Sequence, residues 1–286
     1  MDKKNNFWLM VVAAAMFGLL GCDSSSEGAA GMGGTGGTAG TGGTAGMGGD
    51  GGTGGMVGDG AMVTAVHLAP EVPSAESTEV AIFVNGSDSG VAISYGESTG
   101  RIPLPAGTYD LGLGLPGGDA PLLELSGVEL VDGDDLTIVA YRTNDVLPVN
   151  VFVFSNSTDG LAEATGRVFV AHGANDPALD PVNISTSNED GTADCTTLIP
   201  DFAFGTTFPE IGTGADLAEG TLNIGFDVTD DMDACPQVGP VPVPVTAGVV
   251  SILVAVDENT AEGELGPELW AIVDASTTPI RLINAQ

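Results

Sequence analysis

Apolar residues recur at every second position along much of the chain beyond residue 61. Two stretches show this pattern clearly: Tyr109, Leu111, Leu113 and Leu115, and Leu222, Ile224, Phe226 and Val228. A period of two predicts strands with one buried face. Three further segments, in which most residues are apolar, predict more fully buried strands: 136–141, 149–154 and 251–256. Because no window sustains a helical period, the predicted fold class is all-β.

The chain also contains an internal similarity. Residues 63–67 match residues 168–172, and residues 106–112 match residues 219–225. The order is kept while the offset grows, which places longer loops in the second copy. We therefore predict two β-sandwich domains, 62–160 and 166–286, the second with enlarged loops.

Three segments of the first copy resemble a known family. They read Val-His-Leu-Ala-Pro-Glu-Val-Pro at 66–73, Ile-Phe-Val-Asn-Gly at 82–86 and Pro-Leu-Pro-Ala-Gly-Thr-Tyr at 103–109. This is similar to the domain-of-unknown-function family 4397, with its His-Ala-Ser-Pro-Asp-Ala-Pro and Pro-Ala-Gly-Thr-Tyr segments. The second copy matches less well, because Glu219 replaces an alanine. The resemblance implies tandem immunoglobulin-like sandwiches in an exported, often surface-attached protein, and it implies no particular reaction.

The N-terminus predicts export and lipidation. Lys3 and Lys4 precede an uncharged run from Phe7 to Leu20, which fits a signal-peptide core and is too short to span a bilayer. The run continues into Leu-Leu-Gly-Cys at 19–22, which resembles the lipobox of bacterial lipoproteins. We predict a signal peptide at residues 1–21 and a lipidated Cys22. An ordinary cleaved signal followed by an incidental cysteine is the less favoured alternative, since attached acyl chains would anchor the protein in a bilayer.

A Gly/Thr-rich segment follows Cys22. Residues 28–60 contain 18 glycines in 33 positions and almost nothing that could be buried. Such a composition cannot compensate for the entropy lost on ordering. We predict that residues 22–61 form a disordered tether between the lipidated cysteine and the folded domains.

The charge of the chain restricts its partners. A formal net charge of -33 excludes nucleic acid, which would be repelled. The bilayer, reached through an acylated Cys22, is the partner that the sequence predicts, and a glycan or protein ligand stays open. Trp270 lies in the apolar segment 269–273, so we favour a core position for it over a sugar-binding platform.

Cys195 and Cys235 are both on the exported side, where disulfides persist. We predict that they form a disulfide between two of the enlarged loops. Two free thiols are the alternative, and a metal site is disfavoured because neither cysteine has a second ligand at metal-binding spacing.

His67 and His172 occupy equivalent positions just after the first predicted strand of each copy. A hydrolase would need a nucleophile signature beside one of them, and the sequence shows no such motif. We favour a structural role for both, with a ring nitrogen bonded to a backbone carbonyl. The protein is accordingly predicted not to be an enzyme.

Acidic clusters in predicted turns raise the question of calcium, which prefers oxygen ligands from flexible loops. The best candidates are Asp230, Asp231 and Asp233, which lie beside Cys235. None of the clusters has the residue order of an EF-hand loop. We favour a solvated acidic surface over a calcium site, and no other cofactor is predicted.

Together these features predict a membrane-anchored envelope lipoprotein, at the outer membrane or the cell surface, that serves in binding, adhesion or surface structure. Two alternatives stay open. One is a carboxylate-dependent hydrolase acting on glycans, which would need two carboxylates about 5 to 9.5 Å apart. The other is a periplasmic envelope-assembly factor, since Asp23 after Cys22 resembles a signal for retention at the inner membrane.

Overall fold

The computed structural model describes most of the chain beyond the Gly/Thr-rich segment. The described residues are 60–74, 77–143, 149–175, 179–209, 214–227, 235–236, 238–257, 268–275 and 278–284. The predicted signal peptide, Cys22 and nearly all of the tether lie outside them. No helix in the described residues has the length and apolar character needed to cross a membrane.

The described part of the chain is built from strands, as the period-two pattern predicts. The first half contains β1 (Ala61–Leu68), β2 (Val80–Val84), β3 (Ser87–Ile93), β4 (Glu97–Ser98), β5 (Ile102–Leu104), β6 (Gly107–Gly114), β7 (Pro121–Leu130), β8 (Asp135–Arg142) and β9 (Val149–Ser155). The second half contains β10 (Thr165–Gly173), β11 (Val182–Thr186), β12 (Thr196–Phe202), β13 (Thr207–Phe208), β14 (Ala215–Ala218), β15 (Gly220–Asp227), β16 (Val238–Val245), β17 (Val250–Val256), β18 (Glu268–Val273) and β19 (Ile280–Asn284). The protein is therefore all-β.

Two sheets of the first half pack face to face. Outer sheet 1 has the order β3-β2-β6-β7, and inner sheet 1 has the order β4-β1-β8-β9 with β5 also paired to β1. β1 and β8 run parallel, from Met62 opposite Asp135 to Leu68 opposite Tyr141. Val63 and Ile138 of the inner sheet meet Leu111 of the outer sheet in a shared apolar core.

The second half repeats this strand order. Outer sheet 2 is β12-β11-β15-β16, and inner sheet 2 is β13-β10-β17-β18-β19 with β14 also paired to β10. β10 and β17 again run parallel. Val170 and Leu253 of the inner sheet pack against Ile184 of the outer sheet. Each half is thus a β-sandwich with a parallel pair at the centre of its inner sheet.

The two inner sheets also pack against each other. Val139 and Phe154 of inner sheet 1 share one apolar core with Phe169, Val254 and Ile272 of inner sheet 2. This makes both inner sheets two-sided, which is why all seven residues of β17 are buried. Residues 57–286 consequently form one compact unit, in which the halves share a core.

Candidate functional site

His67 is fully buried at the end of β1, on the side that faces outer sheet 1. Its Nε2 atom lies 3.1 Å from the Val72 carbonyl oxygen and 2.9 Å from the Thr78 carbonyl oxygen. Because both partners only accept, Nε2 carries the proton and donates to them. Nδ1 then accepts from the Ala69 N–H group at 3.4 Å. Both ring nitrogens form hydrogen bonds with the backbone, so this histidine holds the loop after β1 in place.

His172 occupies the matching place at the end of β10 and is also buried. Its Nε2–H group donates to the Leu179 carbonyl oxygen at 2.6 Å, while its buried Nδ1 atom has no hydrogen-bond partner among the described residues. The ring packs near Phe202, with 5.8 Å between the centroids. His172 therefore also has the bond from a ring nitrogen to a carbonyl that a structural histidine needs. None of the described contacts of its ring, with Leu179, Phe202 and Phe204, is with a nucleophile.

The two buried histidines make the free energy of unfolding depend on pH in the mildly acidic range. Burial lowers the pKa of both His67 and His172 below the ordinary value, and the carbonyl bonds oppose this shift only in part. A lowered folded-state pKa means that the unfolded chain binds protons first as the pH falls below about 6.5. The associated stability is fully present above that pH and is lost below it.

We expect the free energy of unfolding to fall as the pH drops below about 6.5, by up to about 1.4 kcal/mol per pH unit for each histidine that stays neutral in the folded protein. Urea melts at fixed pH values measure this slope. The control is a His67→Gln and His172→Gln double variant, in which the amide can still donate but does not titrate. An equally steep slope in that variant would assign the pH dependence to other groups.

A second buried polar cluster lies between the two halves, and sequence reasoning missed it. Glu268, at the start of β18, has a side chain that is 0% exposed. Its Oε2 atom accepts from the Tyr95 hydroxyl at 2.6 Å and from the Trp270 indole N–H at 2.8 Å. Arg281 lies 3.3 Å from Oε1 and 5.9 Å from the centre of the Trp270 ring. We call these four residues the Glu268 cluster.

The Glu268 cluster holds the halves together, because Tyr95 belongs to the first half and the other members to the second. Burial and the hydrogen bond to Glu268 raise the pKa of Tyr95 far above its ordinary value, so the hydroxyl stays a donor. Gly96 has φ +78°, and a Cβ there would lie 2.8 Å from the Trp270 ring. The indole is thus packed against backbone of the opposite half, as expected of a core residue.

Further arginines connect parts of the fold that are distant in sequence. Arg101 pairs with Asp135 at 2.8 Å and with Asp274 of the second half at 2.8 Å. Arg142 pairs with Glu71 at 2.8 Å and lies 3.6 Å from Asp257 of the second half. Both arginines therefore bridge the halves, because each pairs with carboxylates from both of them.

Arg167 fixes the segment that joins the halves. It binds Asp216 through two nitrogens, at 2.9 and 3.2 Å. Two further nitrogen contacts reach the carbonyl oxygens of Ser157 and Asp159, at 2.7 and 3.2 Å. A guanidinium group suits this task because its planar array of donors can serve several acceptors at once. The connecting segment is thereby tied to β10 and β14.

Cys195 and Cys235 form the disulfide that the sequence predicts, with 5.1 Å between their Cα atoms. The loop after β11 lies against β16. Gly191 of this loop is so close to Pro240 of β16 that a Cβ atom on Gly191 would clash with the proline ring. Closing a loop of this size contributes roughly 2–4 kcal/mol in the chain-entropy model. The bond therefore joins two loops of outer sheet 2.

The predicted calcium ligands Asp230, Asp231 and Asp233 lie outside the described residues. Within the described residues, no group of three or more metal-binding side chains occurs. Several acidic residues there cap turns. Asp88 accepts from the N–H groups of Gly90 and Gly117, at 2.8 and 2.9 Å, and these bonds lower the pKa of Asp88.

No protein-family model matches the chain, and the curated proteins contain no match to it. The resemblance to the domain-of-unknown-function family 4397 therefore stays a prediction. What the geometry defines is a class: an all-β sandwich protein whose two halves are joined by a common core, ion pairs and the Glu268 cluster.

Proposed function

We propose that this protein is a lipid-anchored lipoprotein of the bacterial cell envelope, with no catalytic activity of its own. Its folded part is a rigid body that binds a partner or forms part of the surface. The proposal assigns no cofactor, and calcium at Asp230, Asp231 and Asp233 stays a prediction.

The anchor is supported by the sequence. The uncharged run that ends in the lipobox-like residues 19–22 is followed by a tract without burial potential. Two or more acyl chains on one cysteine would hold a protein stably in a bilayer. The Gly/Thr-rich tract would then separate the folded body from the lipid surface, with a root-mean-square span of about 30 Å.

The absence of catalysis is supported by the histidines, and this observation carries that part of the proposal. His67 is buried with both ring nitrogens bonded to backbone, and His172 is buried with Nε2 bonded to a carbonyl. A general base needs a nitrogen within reach of a substrate proton. The buried carboxylate Glu268 is likewise enclosed by its own partners. These groups stabilise the fold and are closed to a substrate.

Mass spectrometry of the protein purified from membranes tests the anchor. We expect a mature chain that begins at Cys22 and carries a diacylglyceryl group, with a Cys22→Ser variant as the unmodified control. A mature chain without acyl mass would refute the anchor.

Protease treatment of intact cells tests the location. We expect cleavage in the Gly/Thr-rich tract and release of the folded body, while a periplasmic protein in the same cells stays intact. Protection in intact cells together with cleavage in lysed cells would favour the envelope-assembly alternative. Hydrolysis of a glycan by the released body, lost on replacement of a carboxylate pair, would refute the non-catalytic assignment.

A further inference from the structure

The two outer sheets differ at equivalent edges. Among the described strands, β16 is the last strand of outer sheet 2, and β7 is the last strand of outer sheet 1. A strand at an edge exposes N–H and C=O groups that another strand can pair with. Which of its N–H groups face the open side therefore decides whether an edge can accept another strand.

The open edge of β16 lacks N–H donors. The Ser187 N–H group donates to the Asn223 carbonyl at 3.1 Å, so Asn223 faces β11. Because backbone groups of successive residues point to opposite sides of a strand, Leu222 and Ile224 face β16. The backbone groups of their partners Val243 and Val241 point at β15. The residues of β16 whose backbone groups face the open side are therefore those at 240, 242 and 244, which are all prolines. Proline has no N–H group, so this edge is blocked.

The open edge of β7 keeps its donors. The Asn85 N–H group donates to the Asp110 carbonyl at 2.7 Å, so Asp110 faces β2. By the same alternation Leu111 and Leu113 face β7, where they pair with Leu125 and Leu123. The N–H group of Glu124, which lies between these two partners, therefore points to the open side. The register of β7 shifts at Leu122, but inward and exposed side chains still alternate from Pro121 to Leu125, so the Leu122 N–H group points the same way as that of Glu124.

The surroundings of β7 are apolar and acidic. Leu122 of β7 is 42% exposed, Val131 directly after β7 is 52% exposed, and Leu115 directly after β6 is 47% exposed. The strands of outer sheet 1 carry no Lys or Arg, and their charged residues are Asp88, Asp110, Glu124 and Glu129. An occupant of this edge therefore meets apolar side chains and carboxylates.

We propose that the open edge of β7 binds an extended segment of another envelope protein, in which basic and apolar residues alternate. The added strand would take backbone bonds from Leu122 and Glu124, while its basic side chains would face Glu124 and Glu129. A second copy of the chain fits poorly, because two β7 strands would oppose glutamate to glutamate, and like charges opposite each other destabilise a sheet.

The test uses the full chain at about 150 mM salt, with a ten-residue peptide of alternating Val and Lys as the probe. A peptide of the same sequence in which every residue is N-methylated keeps the charge but has no N–H group with which to pair as a strand. We expect the first peptide to bind and to slow amide hydrogen exchange at Leu122 and Glu124, and the second to do neither.

Two variants of one residue separate backbone pairing from charge. Glu124→Gln and Glu124→Pro both remove the carboxylate, and only the proline removes the N–H group. We expect Glu124→Pro to bind the peptide roughly tenfold more weakly than Glu124→Gln, since it loses a hydrogen bond and brings in a bulky ring. The hydrogen-exchange result on the unaltered chain keeps the test decisive if the proline variant does not fold.

Equal binding of both peptides, unchanged exchange at Leu122 and Glu124, or equal affinity of both variants would each overturn the proposal. If sedimentation shows a dimer that Glu124→Pro abolishes, the occupant of the β7 edge is a second copy of the chain, and the proposal of a partner protein is wrong. The inference rests on the proposed binding role, but the peptide assay does not depend on the anchor. Loss of acyl mass at Cys22 would therefore refute the anchor alone.

Discussion

Replacing Phe154 by alanine is expected to lower the free energy of unfolding by about 3–5 kcal/mol, the usual cost of deleting a fully buried aromatic side chain. Phe154 is 0% exposed and lies in β9, on the face of inner sheet 1 that meets inner sheet 2. Its ring centroid is 5.4 Å from that of Phe169 in the second half. The cavity would therefore open in the core that both halves share.

Because the core is shared, Phe154→Ala should also affect the second half. If the halves unfold together, Phe154→Ala will raise hydrogen exchange in β15 and β16 of the second half as much as in β8 and β9. Urea melts followed by Trp270 fluorescence and by circular dichroism should coincide. Phe208→Ala is the matched control: this phenylalanine is 40% exposed, and we expect a loss of about 1 kcal/mol or less. Unchanged exchange in the second half would show that the halves unfold independently.

Glu268→Ala is expected to lower the free energy of unfolding by about 3 kcal/mol or more. It leaves the Tyr95 hydroxyl and the Trp270 indole N–H without their acceptor, and each buried donor without a partner costs about 1–3 kcal/mol. It also removes the carboxylate that pairs with Arg281. Glu268→Gln keeps one oxygen in the site and should cost less.

A double-mutant cycle isolates the contact between the halves. Tyr95→Phe and Glu268→Gln, alone and together, should show a coupling energy of about 1–2 kcal/mol. Urea melts of the four proteins measure it. Additive effects within about 0.3 kcal/mol would mean that Tyr95 and Glu268 stabilise the protein independently, and the cluster would lose its role in joining the halves.

The all-β class follows from the sequence because one buried face imposes a period of two. The mostly apolar segment 251–256 also predicts a more fully buried strand, and β17 is buried on both faces. The pattern cannot say what covers the second face. For inner sheet 1 that cover is inner sheet 2, and contacts between strands of different sheets, such as that of Phe154 with Phe169, leave no local signal in the chain.

The same limit applies to the polar residues. The pairing of the two cysteines is predictable because both follow a predicted export signal, and disulfides persist outside the cytosol. Glu268 is different, since a carboxylate at the start of an apolar strand has the same sequence signature whether it caps the strand in solvent or binds Tyr95 across the core. Only the fold places Tyr95 and Arg281 beside it.

The parallel pair in inner sheet 1 also determines how the protein would respond to force. A pull on the chain ahead of Gly60 reaches β1 first, and β1 is held against β8 from Met62 to Leu68. The bonds of a parallel pair are evenly spaced along the strands, so tension along β1 loads them together in shear. A hairpin strand peeled from its end would lose them one at a time. If the protein is attached through this end, as proposed, the folded body would therefore resist unfolding by drag.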